Sequence, residues 1–266
     1  MCGISGIFNV KGVDRKILSN ISQKIHHRGP DDEGYFVVDF TGQNMTLKGD
    51  NTIHELSYLK SLNEYEGGIK LAFIHRRLSI IDLKQTGHQP MSSPGKDLWI
   101  IYNGEIYNYL ELRRELQNLG YSFYTESDTE VILAAYKEWS GKCIDHFLGM
   151  WAFAIYDISK EILFCSRDRF GIKPFYYIKD DGLFAFSSEI KALLEVPGFT
   201  ARLEVRNAIE FISNGNQNFT GGTIFKDINE LPAGYNIVYS LKNQKIELKN
   251  DIHQHMINLE TGETWF

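Results

Sequence analysis

The stretch WAFAIYDISKEILFCSRDRFGIKPFYYIKDDGLFAF, residues 151–186, decides the fold class. It holds four short runs of apolar, β-branched and aromatic residues: Trp151–Tyr156, Ile162–Ser166, Phe175–Ile178 and Leu183–Phe186. Their connections are short, and Asp180-Asp181-Gly182 is a tight-turn sequence, which favours antiparallel hairpins over the long crossovers that parallel strands require. Upstream, Ile4–Phe8 reads as a short strand, and Ile17, Leu18, Ile21 and Ile25 then recur at helical spacing before the turn-rich His27-Arg28-Gly29-Pro30-Asp31. Tyr35–Val38 and Ile69–Ile74 read as strands. The polar segment between them, about residues 41–68, reads as a surface insertion. Leu98–Tyr102 is a strand ending in Asn103-Gly104, read as a tight turn. It leads into an amphipathic helix marked by Tyr109, Leu112, Leu116 and Leu119 and closed by Gly120. Ser127-Asp128-Thr129-Glu130 carries a capping-box signature for a second helix through Val131, Ile132, Ala135, Tyr136 and Trp139. Helices early and a strand meander late predict an α+β fold.

From about Leu241 the sequence turns polar, and it stops at Trp265-Phe266 without a helix cap, so a domain over 2–240 followed by a polar segment over 241–266 of a longer polypeptide is expected. Lys and Arg total 28 against 34 Asp and Glu, a net charge of -6 that disfavours a sequence-independent grip on nucleic acid. No apolar run approaches the roughly 20 residues needed to span a bilayer, and no basic segment precedes a long apolar one at the N-terminus. A cytoplasmic chain with neither a nucleic-acid nor a membrane partner is expected. Cys2, Cys143 and Cys165 are too few and too scattered for a disulfide framework, and the last two read as buried structural thiols. His26, His27, His75 and His88 lack the i, i+4 pairing of a metalloprotease helix, so no metal is expected.

The chemistry begins at the N-terminus. A cysteine directly after the initiator is small enough to permit removal of Met1, which leaves a thiol and a free α-amino group on one residue. That amine, with an unperturbed pKa of about 8, can take the thiol proton without a separate histidine. Thiolate attack on an amide carbonyl creates an oxyanion, which needs fixed donors. Asn103 offers a side-chain NH2 and Gly104 a backbone N–H, although the pair also reads as an ordinary turn. Were the amide that of a free amino acid, its carboxylate would suit a bidentate grip by Arg77 and its ammonium would suit Asp128, which also reads as a plain helix cap.

Six motifs in order then carry a resemblance: Met1-Cys2-Gly3-Ile4, His27-Arg28-Gly29-Pro30-Asp31, Arg77-Leu78-Ser79-Ile80-Ile81-Asp82, Asn103-Gly104-Glu105-Ile106-Tyr107-Asn108, Ser127-Asp128-Thr129-Glu130 and Arg167-Asp168-Arg169-Phe170-Gly171-Ile172-Lys173-Pro174. Together they resemble the class II glutamine amidotransferase domain of glutamine-hydrolysing asparagine synthetases, from residue 1 to about Leu194, with Leu231-Pro232-Ala233-Gly234 a weaker match. The resemblance implies an N-terminal-nucleophile hydrolase fold, a four-layer αββα sandwich of two antiparallel sheets. It implies Cys2 as nucleophile, Asn103 and Gly104 as oxyanion hole, and Arg77, Leu78, Ile81, Glu105 and Asp128 as the glutamine site, Ile81 through its backbone carbonyl. It also implies ammonia delivery through a tunnel to a synthetase domain that activates aspartate with ATP. No Ser-Gly-Gly-x-Asp-Ser pyrophosphate loop occurs here, so no cofactor is expected in this chain, and ATP and magnesium belong to the absent domain. That domain and L-glutamine are the expected partners, with a homodimer also open.

Three alternatives stand beside this reading. The insertion is like that of relatives in polysaccharide clusters, where a sugar acid is the acceptor. The chain is also compatible with the glutaminase half of an enzyme making glucosamine phosphate or phosphoribosylamine, although Phe186-Ser187-Ser188-Glu189-Ile190-Lys191-Ala192-Leu193 favours the asparagine synthetase branch. A non-catalytic regulatory module is the third, and Cys2 argues against it. Arg167, Asp168 and Arg169 read as a structural ion-pair network behind the site, and Glu189 and Lys191 as part of a short surface helix.

Overall fold

The computed structural model describes residues 1–80, 82, 84–215 and 222–250, together with the backbone of 256–257 and 264–265. Its main strands are β1 (Gly3–Val13), β2 (Asp32–Val38), β3 (Asn44–Leu47), β4 (Ile69–Arg77), β5 (Met91–Ser92), β6 (Leu98–Ile106), β7 (Gly149–Asp157), β8 (Ile162–Arg167), β9 (Tyr176–Asp180), β10 (Leu183–Ser187), β11 (Asn229–Glu230), β12 (Tyr235–Ser240) and β13 (Ile246–Asn250). The helices are α1 (Arg15–Lys24), α2 (Tyr109–Asn118), α3 (Asp128–Trp139), α4 (Ile190–Leu193) and α5 (Val205–Asn214). Two antiparallel sheets result, ordered β11-β9-β10-β1-β4-β2-β3 and β13-β12-β8-β7-β6-β5.

Alternation along each strand explains the layers. Ile4 and Phe8 of β1, Leu71 and Phe73 of β4, and Phe36 of β2 face Trp99, Ile101, Ala152, Ala154 and Cys165 of the other sheet in one core. Phe36 stacks on Trp99 across that core at 4.2 Å between centroids. The opposite parity, Ile7, Val37, Ala72 and Ile74, packs outward against Leu18, Ile21 and Ile25 and against Ala192 and Leu193. On the far side Ile100, Tyr102, Phe153 and Ile155 pack against Leu112, Leu116, Val131 and Ile132. Helix, sheet, sheet, helix is therefore the layer order, as the resemblance implies.

The structure revises several expectations. Residues 151–186 do not form one meander. The β7–β8 hairpin lies in the second sheet and the β9–β10 hairpin in the first, so residues 168–175 cross between the sheets. Asn103-Gly104 is not a turn, because β6 continues to Ile106 and pairs Gly104 with Trp151 and Glu105 with Met150. The sandwich runs beyond Ser240: β13 pairs with β12 from Tyr235↔Asn250 to Tyr239↔Ile246. Its polarity is that of an edge strand, with residues 247–250 exposed on both faces. The 41–68 segment is only partly surface, since Leu47, Leu56 and Leu62 are buried. Ser127 caps α3 by accepting from Thr129 N at 3.1 Å, but Glu130 does not close the box; its carboxylate accepts from the backbone N–H of Tyr124 and Thr125. Cys143 and Cys165 are buried free thiols.

Candidate active site

The inward parity of three strands continues past the apolar core at one rim of the sandwich. Positions 2, 4 and 8 of β1 and its N-terminal extension, 71, 73, 75 and 77 of β4, and 99, 101 and 103 of β6 each lie on one face. The residues at the ends of those rows are Cys2, Arg77 and Asn103. Register brings the first two together, since Gly3 pairs with Arg76. A cavity of about 90 Å³ opens there, walled by Met1, Cys2, Arg77, Leu78, Asn103, Gly104, Glu105, Asp128 and Lys173, among others. The rim thus gathers all the site residues expected from sequence except Ile81, which lies outside the described residues.

The strand start that carries Cys2 is fixed by its neighbours. Ile4 N donates to Ser188 Oγ at 3.0 Å, Ser188 N donates to Ile4 O at 2.9 Å, and Arg28 Nε donates to Cys2 O at 3.1 Å. The thiol accepts from Leu78 N at 3.4 Å and faces Leu78 O at 3.7 Å. Burial pushes the Cys2 thiol up, while the Leu78 contact, the terminal amine and Arg77 draw it down and Asp128 opposes them. Met1 forms part of the cavity wall, so its removal would enlarge the space beside the thiol.

Asn103 is 1% exposed, and its Nδ2 has no hydrogen-bond acceptor among the described residues. A buried donor left unpaired costs on the order of 1–3 kcal/mol, which marks a place where an acceptor from outside the chain belongs. At Gly104 a Cβ would come within 2.3 Å of Met150 O and 2.6 Å of the Tyr102 ring, so only glycine keeps this wall in place. His75, whose Nε2 lies 3.1 Å from Tyr102 O, ties β4 to β6 just behind; burial lowers its pKa to about 3 and keeps it neutral.

Asp128, buried at the first turn of α3, accepts from Tyr102 Oη at 2.9 Å and from Ile106 N at 3.1 Å, both on Oδ2. No other residue donates to its Oδ1 among the described residues, and burial raises its carboxyl above the ordinary range. Arg77 is less free than expected. Nη1 donates to Lys84 O at 3.1 Å and Nη2 to Asp82 O, so the guanidinium also holds the segment that follows it.

The histidines do not converge: His27 meets Glu189 at 2.8 Å, and His88 meets Asp32 at 2.7 Å. Among the described residues no three His, Cys, Asp or Glu side chains are placed to share a metal, and no helix is long and apolar enough to cross a membrane. Arg167 pairs with Glu230 at 2.7 Å, whereas Asp168 and Arg169 bind backbone groups, so the expected ion-pair network is mostly a backbone clamp. Lys173 was missed by sequence reasoning as a wall of the cavity. Its signal lay in the quoted Arg167–Pro174 motif, to which no role at the cavity was given.

The fold is shared with solved amidotransferases. The glutamine phosphoribosylpyrophosphate amidotransferase of Bacillus subtilis superposes with a TM-score of 0.67 at 20% identity, over 94% of this chain and 49% of that one. A structure described as the allosteric regulatory enzyme of purine biosynthesis gives 0.66, also at 20% identity. This is the N-terminal-nucleophile hydrolase fold. Among sequences, asparagine synthetase (glutamine-hydrolyzing) 3 of Bacillus subtilis is 35% identical over 90% of this chain, and asparagine synthetase (glutamine-hydrolyzing) 1 of the same organism is 38% identical over 73%. The chain spans only 35% and 27% of the length of these two relatives. The family model of the glutamine amidotransferase domain matches residues 1–46 and 63–250, and the chain belongs to that family, in its class II branch.

Proposed function

We propose that the chain is a glutaminase that hydrolyses L-glutamine to glutamate and ammonia through a thioester on Cys2. The observation that carries this reading is the unpaired, buried Nδ2 of Asn103 in the cavity that holds the Cys2 thiol. After Met1 is removed, the α-amine of Cys2 takes the thiol proton and Sγ adds to the side-chain carbonyl of glutamine. Asn103 Nδ2 and the Gly104 N–H receive the oxyanion. The C–N bond then breaks, the terminal ammonium returns its proton to the departing nitrogen, and ammonia leaves a γ-glutamyl thioester. Water adds to the thioester, the thiolate departs, and glutamate is released. Arg77 holds the substrate carboxylate, and Asp128, with Glu105 beside it, holds the ammonium; the Leu78 backbone completes the described part of the pocket.

The longer relatives carry asparagine synthetase names, and on that basis the ammonia is read as feeding an ATP-dependent synthetase domain beyond the span of this chain. In this reading residues 2–240 hold the glutaminase, and its sheet is extended by β13.

The test is glutamate release from L-glutamine by the purified chain, with intact mass showing Cys2 as the first residue. Activity that vanishes in Cys2→Ala is the expected outcome. Full turnover in that variant, or in a chain that keeps Met1, would sink the covalent, amine-assisted mechanism.

A further inference from the structure

The crossover between the sheets carries a buried cation to which the mechanism above gives no role. Lys173 is 5% exposed and lines the cavity beside Cys2 and Asn103. Its backbone is fully engaged, yet its ammonium makes no hydrogen bond or ion pair among the described residues. The stem is buried and the ammonium tip opens on the cavity without a carboxylate partner among the described residues, so a structure that fixes a cation beside a nucleophile calls for an explanation.

The local architecture fixes the backbone from which it projects. Asp168 accepts from Phe170 N and Ile172 N on Oδ1, each at 3.0 Å, and from Lys173 N on Oδ2 at 2.9 Å. Arg167 Nε grips Lys173 O at 2.7 Å, and its other nitrogens hold Leu231 O and Gly171 O. The clamp turns Phe170 and Ile172 outward, at 82% and 54% exposed, and Lys173 inward.

Charged groups reach the start of the chain from every side: Arg28 and Asp31 from the loop after α1, Arg77 from β4, Glu105 from β6, Asp128 from α3 and Lys173 from the crossover. Burial draws the Met1 amine down, and Arg28 and Lys173 act in the same direction, against Cys2 and Asp31; these charges surround the place that the α-amine of Cys2 takes over once Met1 is gone. Lys173 is itself drawn down by burial and by Arg28, while Asp168, Cys2 and Glu105 act the other way.

We propose that Lys173 is a positioning residue for the nucleophile, an internal cation whose field favours the free-base amine and the thiolate on Cys2 once Met1 is gone. The proposal rests on the glutaminase reading for its consequence in turnover. Its electrostatic core is testable without turnover. Lys173 gives up no proton; its field keeps more of the α-amine in the free-base form that can act as base near neutral pH, and it stabilises the thiolate left when Sγ loses its proton.

The experiment measures alkylation of the processed chain by iodoacetamide as a function of pH, alongside the pH profile of glutamate release. Cys143 and Cys165 are fully buried, so modification reports Cys2. Lys173→Met should move both curves to higher pH, lowering the rate near neutrality roughly fivefold while the high-pH plateau and the KM for glutamine stay close to the parent. Lys173→Arg should restore most of the shift. An unmoved alkylation curve overturns the proposal, and so does a raised KM with an unchanged profile, which would make Lys173 a carboxylate binder. If the parent chain releases no glutamate, the glutaminase reading fails while the alkylation curves still decide this one. Lys173→Gln is the second neutral variant; unfolding of both would make the cation a structural requirement and overturn its electrostatic role.

Discussion

Two segments wall the same cavity and are built in opposite ways. The crossover at 168–174 is tied down by buried groups. Asp168 is fully buried, its carboxylate takes three backbone N–H groups, and its own carbonyl accepts from Gly234 N at 2.8 Å. The segment after β4 is held from its exposed side. Ser79 N donates to Asp31 Oδ2 at 2.8 Å, Asp82 Oδ2 takes Thr86 Oγ1 at 2.9 Å, and the guanidinium of Arg77 reaches Asp82 O and Lys84 O. One wall is fixed before any substrate arrives. The other hangs on an arginine that the proposed mechanism also uses for the substrate. On the proposed mechanism the first wall presents a set surface to the nucleophile, and the second is the one that substrate binding to Arg77 would adjust.

The comparison breaks most visibly at Asp168. Asp168→Ala leaves three N–H groups without their acceptor in a buried turn, and we expect a loss of about 3 kcal/mol. For a chain of this size that is a fall in melting temperature of roughly 6–12 °C. A melting temperature unchanged from the parent would show that the crossover wall is held by its packing and not by the carboxylate.

How much of this was legible in the sequence follows from the physics of each element. The αββα layering was accessible because apolar alternation with period two survives in β1, β2, β4, β6 and β7, and because α1, α2 and α3 carry apolar stripes. The candidate site residues were named through the order of the motifs, and those that are described line one cavity. What the sequence hid was pairing at a distance. The turns between β7 and β8 and between β9 and β10 look alike, yet the 168–175 segment between the two hairpins changes sheets, and no local pattern distinguishes a hairpin loop from a crossover of similar length. Asn103-Gly104 has turn composition, and only its partners Ala152 and Trp151 keep it in a strand. The weak Leu231–Gly234 match acquires its reason from the same crossover. Arg167 donates to Leu231 O and pairs with Glu230, and Gly171 has φ 65°, where a Cβ is strained and would sit 3.1 Å from Ala233 Cβ.

The adjustable wall is sharpened by Arg77→Ala. Loss of a charged partner for the substrate carboxylate should raise the KM for glutamine roughly tenfold to a hundredfold with little change in kcat. The same variant releases the carbonyls of Asp82 and Lys84, so trypsin should cut after Lys84 faster than in the parent. Asp168→Ala should lower global stability without that local preference. Faster cleavage at Lys84 with an unchanged KM would leave Arg77 a structural tie and remove it from the glutamine site.

The smallest effect is expected at Asp82, a half-buried residue of that wall. Its backbone has φ 48°, a conformation that Asn and Asp tolerate better than other residues with a Cβ, and its carboxylate accepts from Lys84 N at 3.1 Å. Asp82→Asn keeps both the backbone tolerance and an acceptor oxygen, so stability should change by less than about 0.5 kcal/mol. Asp82→Ala loses both and should cost about 1 kcal/mol. Because Glu126 N also donates to Asp82 Oδ2 at 3.3 Å, the alanine variant loosens the link between this wall and the start of α3, where Asp128 stands. The KM for glutamine should therefore rise in Asp82→Ala although Asp82 itself does not line the cavity. A KM equal to that of the parent, at a measurable loss of stability, would mean that the wall closes on the substrate through Arg77 alone.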